Sequence, residues 1–227
     1  MTQVTDTANP RFYGRRQGRP LHVRKTMLMQ EALPKFEITL AAGDKLQPRD
    51  LFTAKPESIW LEIGFGGGEH LAVQALRHPA KGFIGCEPFR NGIASLLDHI
   101  DRQSIGNIRV FPNDARLLLD ALPDATVERC YVLFADPWPK AKHTDRRFIG
   151  PENLPRLARV LKPQGELRLA TDDARLADWM LLQMRAAKDF EEIYNAPQPP
   201  EDWVPTRYEQ KAIKAGRAPV YRAYRRR

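Results

Sequence analysis

The sequence predicts an α/β fold: a mostly parallel, seven-stranded sheet covered by helices on both faces. Three observations lead there. From Ser58 onward short apolar runs alternate with amphipathic stretches, the pattern of repeated strand–helix–strand units. Ser58 to Leu71, Ser-Ile-Trp-Leu-Glu-Ile-Gly-Phe-Gly-Gly-Gly-Glu-His-Leu, reads as a buried strand that turns into a helix through glycines. Acids recur at the strand ends, at Glu62, Glu87, Asp114, Asp136 and Asp172, which is where open α/β sheets bind ligands.

Each element has its own signal. Residues 1 to 20, with four arginines and with Pro10, Gly14, Gly18 and Pro20, have no apolar period and are expected as a flexible basic arm. Residues 21–227 are expected as one domain with a basic C-terminal end. His22 to Leu33 suits a short helix, and Pro34 to Pro56 a connector. Ile59, Trp60, Leu61 and Ile63 suit a central strand, and a helix runs from about Gly67 to Arg77. Lys81 to Cys86 is the second strand, and the helix after Pro88 places Phe89, Ile93, Leu96, Leu97 and Ile100 on one face. Asn107 to Phe111 is the third strand, Ala115 to Ala121 a helix, and Val127 to Ala135 a fourth, almost wholly apolar strand. Pro151 to Leu161 is helical, and Glu166 to Ala170 is the fifth strand after a turn at Pro163 to Gly165. The helix Asp172 to Ala187 buries Leu176, Met180, Leu181 and Met184. Phe190 to Tyr194 and Val220 to Tyr224 suit the last two strands, with Thr206 to Ala215 helical between them and Arg225 to Arg227 a free tail.

Composition narrows the function classes. A chain of 227 residues with 42% hydrophobic content can bury a real core as one domain. The longest apolar run, around Tyr131 to Ala135, is far short of a membrane span. Met1 to Asp6 has no apolar segment of the secretory kind, and Cys86 and Cys130 sit within strand-like runs. A cytoplasmic chain with reduced thiols is the expectation. No Cys/His cluster has metal-ligand spacing, so no metal is expected. The net charge of +8 is divided unevenly: residues 7 to 30 hold six Lys/Arg and no Asp/Glu, and residues 206 to 227 hold eight against Glu209 alone. A mildly acidic middle between two basic ends points to a polyanionic partner held by the ends.

The glycine turn reads Glu-x-Gly-x-Gly-x-Gly, with Glu69 where the dinucleotide fingerprint Gly-x-Gly-x-x-Gly would need its third glycine. Glu62 and Glu69 would repel a pyrophosphate and attract a cationic ligand such as S-adenosylmethionine. Gly64, Gly66 and Gly68 let the backbone approach that ligand. Glu87 lies near the roughly 20-residue spacing of an acid that holds ribose hydroxyls, and Asn113-Asp114 can reach an adenine amino group. Asp136-Pro137-Trp138-Pro139 is similar to the (Asp/Asn)-Pro-Pro-aromatic motif of methyltransferases acting on planar nitrogens. Its prolines stiffen the backbone, Asp136 can accept hydrogen bonds from a base edge, and Trp138 offers a stacking face or packs in the wall. Lys140, Lys142, His143, Arg146 and Arg147 form a basic loop just beyond, interrupted by Asp145.

Three motifs together resemble the bacterial tRNA (guanine-N7-)-methyltransferase family over about Ile59 to Gly216. They are Glu62 to Glu69; Asp136 to Lys140 with His143 and Arg146-Arg147; and Thr206-Arg207-Tyr208-Glu209 with Lys211 and Gly216. The resemblance implies a Rossmann-like S-adenosylmethionine-dependent methyltransferase fold and transfer to N7 of the guanine at position 46, in the variable loop of tRNA. It implies cofactor contacts from Glu62, Glu87, Asp114 and Asp136, with Asp136 also catalytic. Lys140, Asp172 and Thr206 to Glu209 would contact the substrate. Another RNA or a small-molecule acceptor, or a non-catalytic RNA-binding module on the same fold, stay open as alternatives, as does monomer against homodimer.

Overall fold

The computed structural model describes residues 13–41 and 43–227. Among these residues seven strands form one sheet: β1 (Ile59–Ile63), β2 (Gly82–Cys86), β3 (Ile108–Phe111), β4 (Val127–Leu133), β5 (Leu161–Thr171), β6 (Phe190–Ala196) and β7 (Val220–Arg226). Their spatial order is β3-β2-β1-β4-β5-β7-β6. The first five are mutually parallel, and β7 runs antiparallel between β5 and β6. After β1 the chain winds outward to β3 and then returns to place β4 on the other side of β1. That reversal opens a crevice at the C-terminal ends of β1 and β4.

Alternation along β1 decides which helices cover which face. Trp60 joins Phe83 and Tyr131 beneath α3 (Glu69–Arg77) and α4 (Arg90–Gln103), which contribute Leu71, Ala75, Ile93, Leu96 and Ile100. Ile59, Leu61 and Ile63 point the other way, toward α5 (Ala115–Ala121), α6 (Leu154–Val160) and α7 (Ala174–Ala186), through Leu118, Leu119, Leu157, Leu176 and Met180. Both faces of the sheet are therefore buried, as the continuous apolar strands demand. Among the described residues, no helix is long and apolar enough to cross a membrane.

Four stretches differ from, or add to, the sequence expectation. β5 begins at Leu161, directly after α6, rather than at Glu166. Its pairing with β4 jumps from Val127–Leu161 to Arg129–Glu166, so Lys162 to Gly165 bulge out of the ladder. A Cβ on Gly165 would stand 2.9 Å from the Lys162 carbonyl and 3.0 Å from that of Glu128, which ties glycine to this bulge. Arg225 to Arg227 are not a free tail. Arg225 lies opposite Glu166 and Glu191, Arg226 opposite Phe190, and the Arg227 N–H donates to Asp189 O at 2.9 Å. Both flanking strands pair with Arg225, and the β6 side carries the pairing on to Arg226, which outweighs the charge of the segment. The connector after α1 (Val23–Glu31) holds the short helix α2 (Leu33–Phe36), and Ile38 N–H then donates to Val110 O at 2.7 Å. It thereby covers the outer edge of β3. The stretch expected as a basic arm lies outside the described residues as far as 12. From 13 to 20 the chain runs beside the start of α4: Arg90 N–H donates to Arg16 O at 3.0 Å, and Gly18 N–H to Asn91 Oδ1 at 2.9 Å.

Candidate functional site

The crevice between β1 and β4 is a cavity of about 420 Å³. Its floor is the glycine turn. Gly64 has φ +75°, and open space lies where a side chain would begin. Gly66 has φ +56°, and a Cβ there would stand 2.9 Å from the Tyr208 ring. Gly68 faces Leu96 rather than the cavity, so it serves the packing of α3 on α4. Left-handed backbone at these positions is what glycine supplies and other residues resist.

Side chains from several strand ends meet there. Glu87, after β2, accepts from Gly66 N–H at 2.9 Å and from Phe89 N–H at 3.0 Å. Burial raises its pKa above the usual carboxylate value against the pull of those two donors, and the charges of Asp136 and Glu62 add to the rise. Asp114 caps α5 by accepting from Arg116 N–H at 2.9 Å and also holds the Arg116 guanidinium at 2.7 Å. Asn113 Oδ1 accepts from Asp114 N–H at 2.9 Å and from Arg16 at 3.3 Å. Tyr208 leans in from the start of α8 (Arg207–Lys214). Its pKa is raised first by burial and then by Glu87 and Asp136, which keeps the hydroxyl protonated and able to donate.

The loop after β4 is held under strain. Phe134 and Trp138 both have positive φ, 52° and 43°, an unfavourable region for aromatic residues. Buried Arg147 pins the loop by donating to Pro137 O at 3.0 Å and Trp138 O at 3.2 Å. Arg146 stacks over Trp138 at 5.0 Å and over Tyr13 at 4.4 Å. Within this frame Asp136 is exposed, and among the described residues it has no hydrogen-bond or ion-pair partner. Every other strand-end acid is engaged. Glu62 is buried on the α3 face with His70 Nδ1 at 2.7 Å, Glu87 and Asp114 are bonded as above, and Asp172 pairs with Arg217.

The cavity thus gathers Gly64, Gly66, Glu87, Asn113, Asp114, Asp136, Arg146, Arg147 and Tyr208 from the residues singled out in the sequence. It does not gather Glu62, which the pleat turns to the opposite face of the sheet, or Gly68. Lys140, Lys142 and Arg207 stand exposed, and His143 half-buried, outside its wall. Thr206 and Glu209 are spent within the fold. They form a reciprocal cap on α8, and Glu209, 3% exposed, also accepts from Trp203 Nε1 at 2.8 Å and from the Tyr221 hydroxyl. Sequence reading missed Asn153, Phe134, Arg116 and the segment Tyr13 to Arg15, all on the wall. Nothing near Asn153 or Tyr13 in the sequence signals a site; they arrive by tertiary packing alone. Among the described residues no group of three or more His, Cys, Asp or Glu could hold a metal ion.

A crevice at the strand-order reversal, a glycine floor and carboxylates set at the strand ends define a class, the α/β methyltransferases. The family model described as "Putative methyltransferase" matches residues 56–223. Among solved structures the 16S rRNA methyltransferase KamB superposes with a TM-score of 0.57 at 14% identity, covering 75% of this chain and 88% of its own, a likeness of fold. The chain is 52% identical to the tRNA (guanine-N(7)-)-methyltransferase of Paramagnetospirillum magneticum, over 96% of this chain and 93% of that one. It is 46% identical to the protein of the same name from Rhodospirillum rubrum, over 97% and 89%. The chain belongs to the tRNA (guanine-N7-)-methyltransferase family.

Proposed function

We propose that this chain transfers a methyl group from S-adenosylmethionine to N7 of a guanine in tRNA, the guanine at position 46 of the variable loop. The observation that carries the reading is the free carboxylate of Asp136, presented on a strained, pinned loop at the mouth of a cavity in which Glu87 and Asp114 are already bonded.

The residues present fit the donor. Gly64 leaves the space that a Cβ would fill, Glu87 is an acceptor beside it, and the carboxylate of Asp136, with no ion-pair partner among the described residues, suits a cation. Bound there, S-adenosylmethionine supplies an electrophilic methyl group on a sulfonium. Guanine N7 carries a lone pair and needs no deprotonation, so the site requires no general base. Asp136 accepts from the guanine N1–H and amino group, orients the base, and stabilises the positive charge that moves onto it. Tyr208 stands over the glycine floor as a neutral donor and aromatic face. Lys140, Lys142 and His143 lie outside the cavity where the RNA backbone would pass, with Arg207 on the neighbouring helix.

The test is incubation with isotopically labelled S-adenosylmethionine and unmodified tRNA, followed by nucleoside analysis. We expect label in 7-methylguanosine, mapped to the variable loop. Label in a different nucleoside, or transfer to ribosomal RNA and not to tRNA, would overturn the reading.

A further inference from the structure

Asn153 occupies the N-cap position of α6, where an asparagine side chain ordinarily accepts from a backbone N–H of the first turn. Here it makes no such bond. The second residue of the helix is Pro155, which has no N–H to give. The side chain is instead held by Nδ2, which donates to Phe148 O at 2.8 Å, and this bond fixes which end of the amide is oxygen. That oxygen, Oδ1, is buried and accepts from nothing among the described residues, although Asn153 is only 5% exposed and lines the cavity. A buried carbonyl without a donor is costly, so a bound group that donates to it recovers free energy.

Its place in the cavity indicates which group. Glu152, the residue before it, pairs with Arg116 at 3.3 Å, and Arg116 holds Asp114 at 2.7 Å, so Asn153 stands on the β3–α5 side. The other acceptors on that side are taken: Asp114 by Arg116, and Asn113 Oδ1 by Asp114 N–H and Arg16. Ala115, Val132 and Phe148 give the cavity an apolar surface suited to a flat ring.

We infer that Asn153 determines donor selectivity: its Oδ1 accepts the exocyclic amine of a 6-aminopurine, so the cavity takes an adenosyl ligand in preference to the 6-oxo counterpart. The inference rests on the reading of this cavity as the methyl-donor site. A 6-oxo purine would set oxygen against oxygen at this position and leave both unpaired.

The experiment is calorimetric titration of the full chain with S-adenosylhomocysteine and with its deaminated analogue, S-inosylhomocysteine. The wild type should bind the adenosyl form roughly tenfold or more tighter. Asn153→Leu should weaken the adenosyl form and leave the inosyl form nearly unchanged, bringing the ratio toward one. Asn153→Ala, milder in shape, should do the same if the leucine variant does not fold. Equal binding of the two ligands by the wild type, or a folded variant that keeps the wild-type ratio, would overturn the inference while leaving the donor site standing. A wild type that neither ligand saturates would instead bring down the donor-site reading, and this inference with it.

Discussion

Asp136 stands exposed at the end of β4 with no protein partner among the described residues, whereas Glu209, from the chain's other distinctive acidic motif, is 3% exposed and takes donors from Trp203, Thr206 and Tyr221. Both acids belong to motifs that mark the family, and sequence reading places both at the substrate. Their surroundings give them opposite work. A carboxylate whose lone pairs are filled and whose ring of partners is dry holds a structure together; one left unpaired on a stiff loop is free to meet charge as it develops. Glu209 thereby fixes the start of α8, and with it the Tyr208 ring against Gly66.

The largest expected effect breaks the pair apart on the side of rate. Asp136→Asn keeps the shape, loses the charge and presents a donor to the guanine N1–H. Single-turnover methylation of tRNA under saturating donor should fall by about 10² to 10³. The melting temperature should hardly move. If the rate held and stability fell, the roles assigned to the two acids would be reversed.

Glu209→Ala should show the complement. It strands the Trp203 Nε1–H, the Tyr221 hydroxyl and the Thr206 N–H, and at about 1 to 3 kcal/mol for each unsatisfied group a loss near 3 kcal/mol is the conservative figure. For a domain of this size that lowers the thermal midpoint by roughly 6 to 12 °C, measurable by circular dichroism. Glu209→Gln retains an acceptor and should fall between wild type and alanine. An unchanged midpoint in Glu209→Ala would refute the structural role.

A smaller effect separates the mouth from the interior by salt. Replacing Lys140 and Lys142 with alanine should weaken tRNA binding about tenfold and lower the salt slope by about two, while donor affinity stays at the wild-type value. Arg147 behaves differently, because it is spent on Pro137 O and Trp138 O. Its loss should reduce the methylation rate by loosening Asp136, with little change in salt slope.

The smallest effect concerns Glu128, half-way between the two types: partly exposed, yet fully partnered. Burial pushes its pKa up, but donors from Ser58, Trp60 and Lys81 together outweigh that and hold it at about 2, against an ordinary value of 4.5. A depressed folded pKa stabilises the protein above the unfolded value and loses that contribution as pH falls from about 4.5 toward 2. Glu128→Gln should therefore flatten the acid limb of stability against pH in that window. Because the side chain is 42% exposed, the change at neutral pH should stay below about 1 kcal/mol.

The sheet, the glycine turn and the acids at the strand ends were legible in the sequence because their signals are local: period-two and period-3.6 burial, φ beyond the reach of other residues, and spacing along one chain. The Thr206-x-x-Glu209 cap was legible too, as a helix-start pattern, although its motif points to the substrate. What the sequence could not rank was the five strand-end acids, since each is the same chemical group at the same phase of the fold. Asp172 is paired with Arg217, 45 residues on, and Glu87 accepts from the Gly66 N–H that the glycine turn aims at it and from Phe89 N–H. Asn153 reaches the cavity through Gly150 and Phe148, with no pattern in its own neighbourhood. Which polar groups are satisfied is settled by partners brought together across the fold, and only the unsatisfied ones remain free to act on something else.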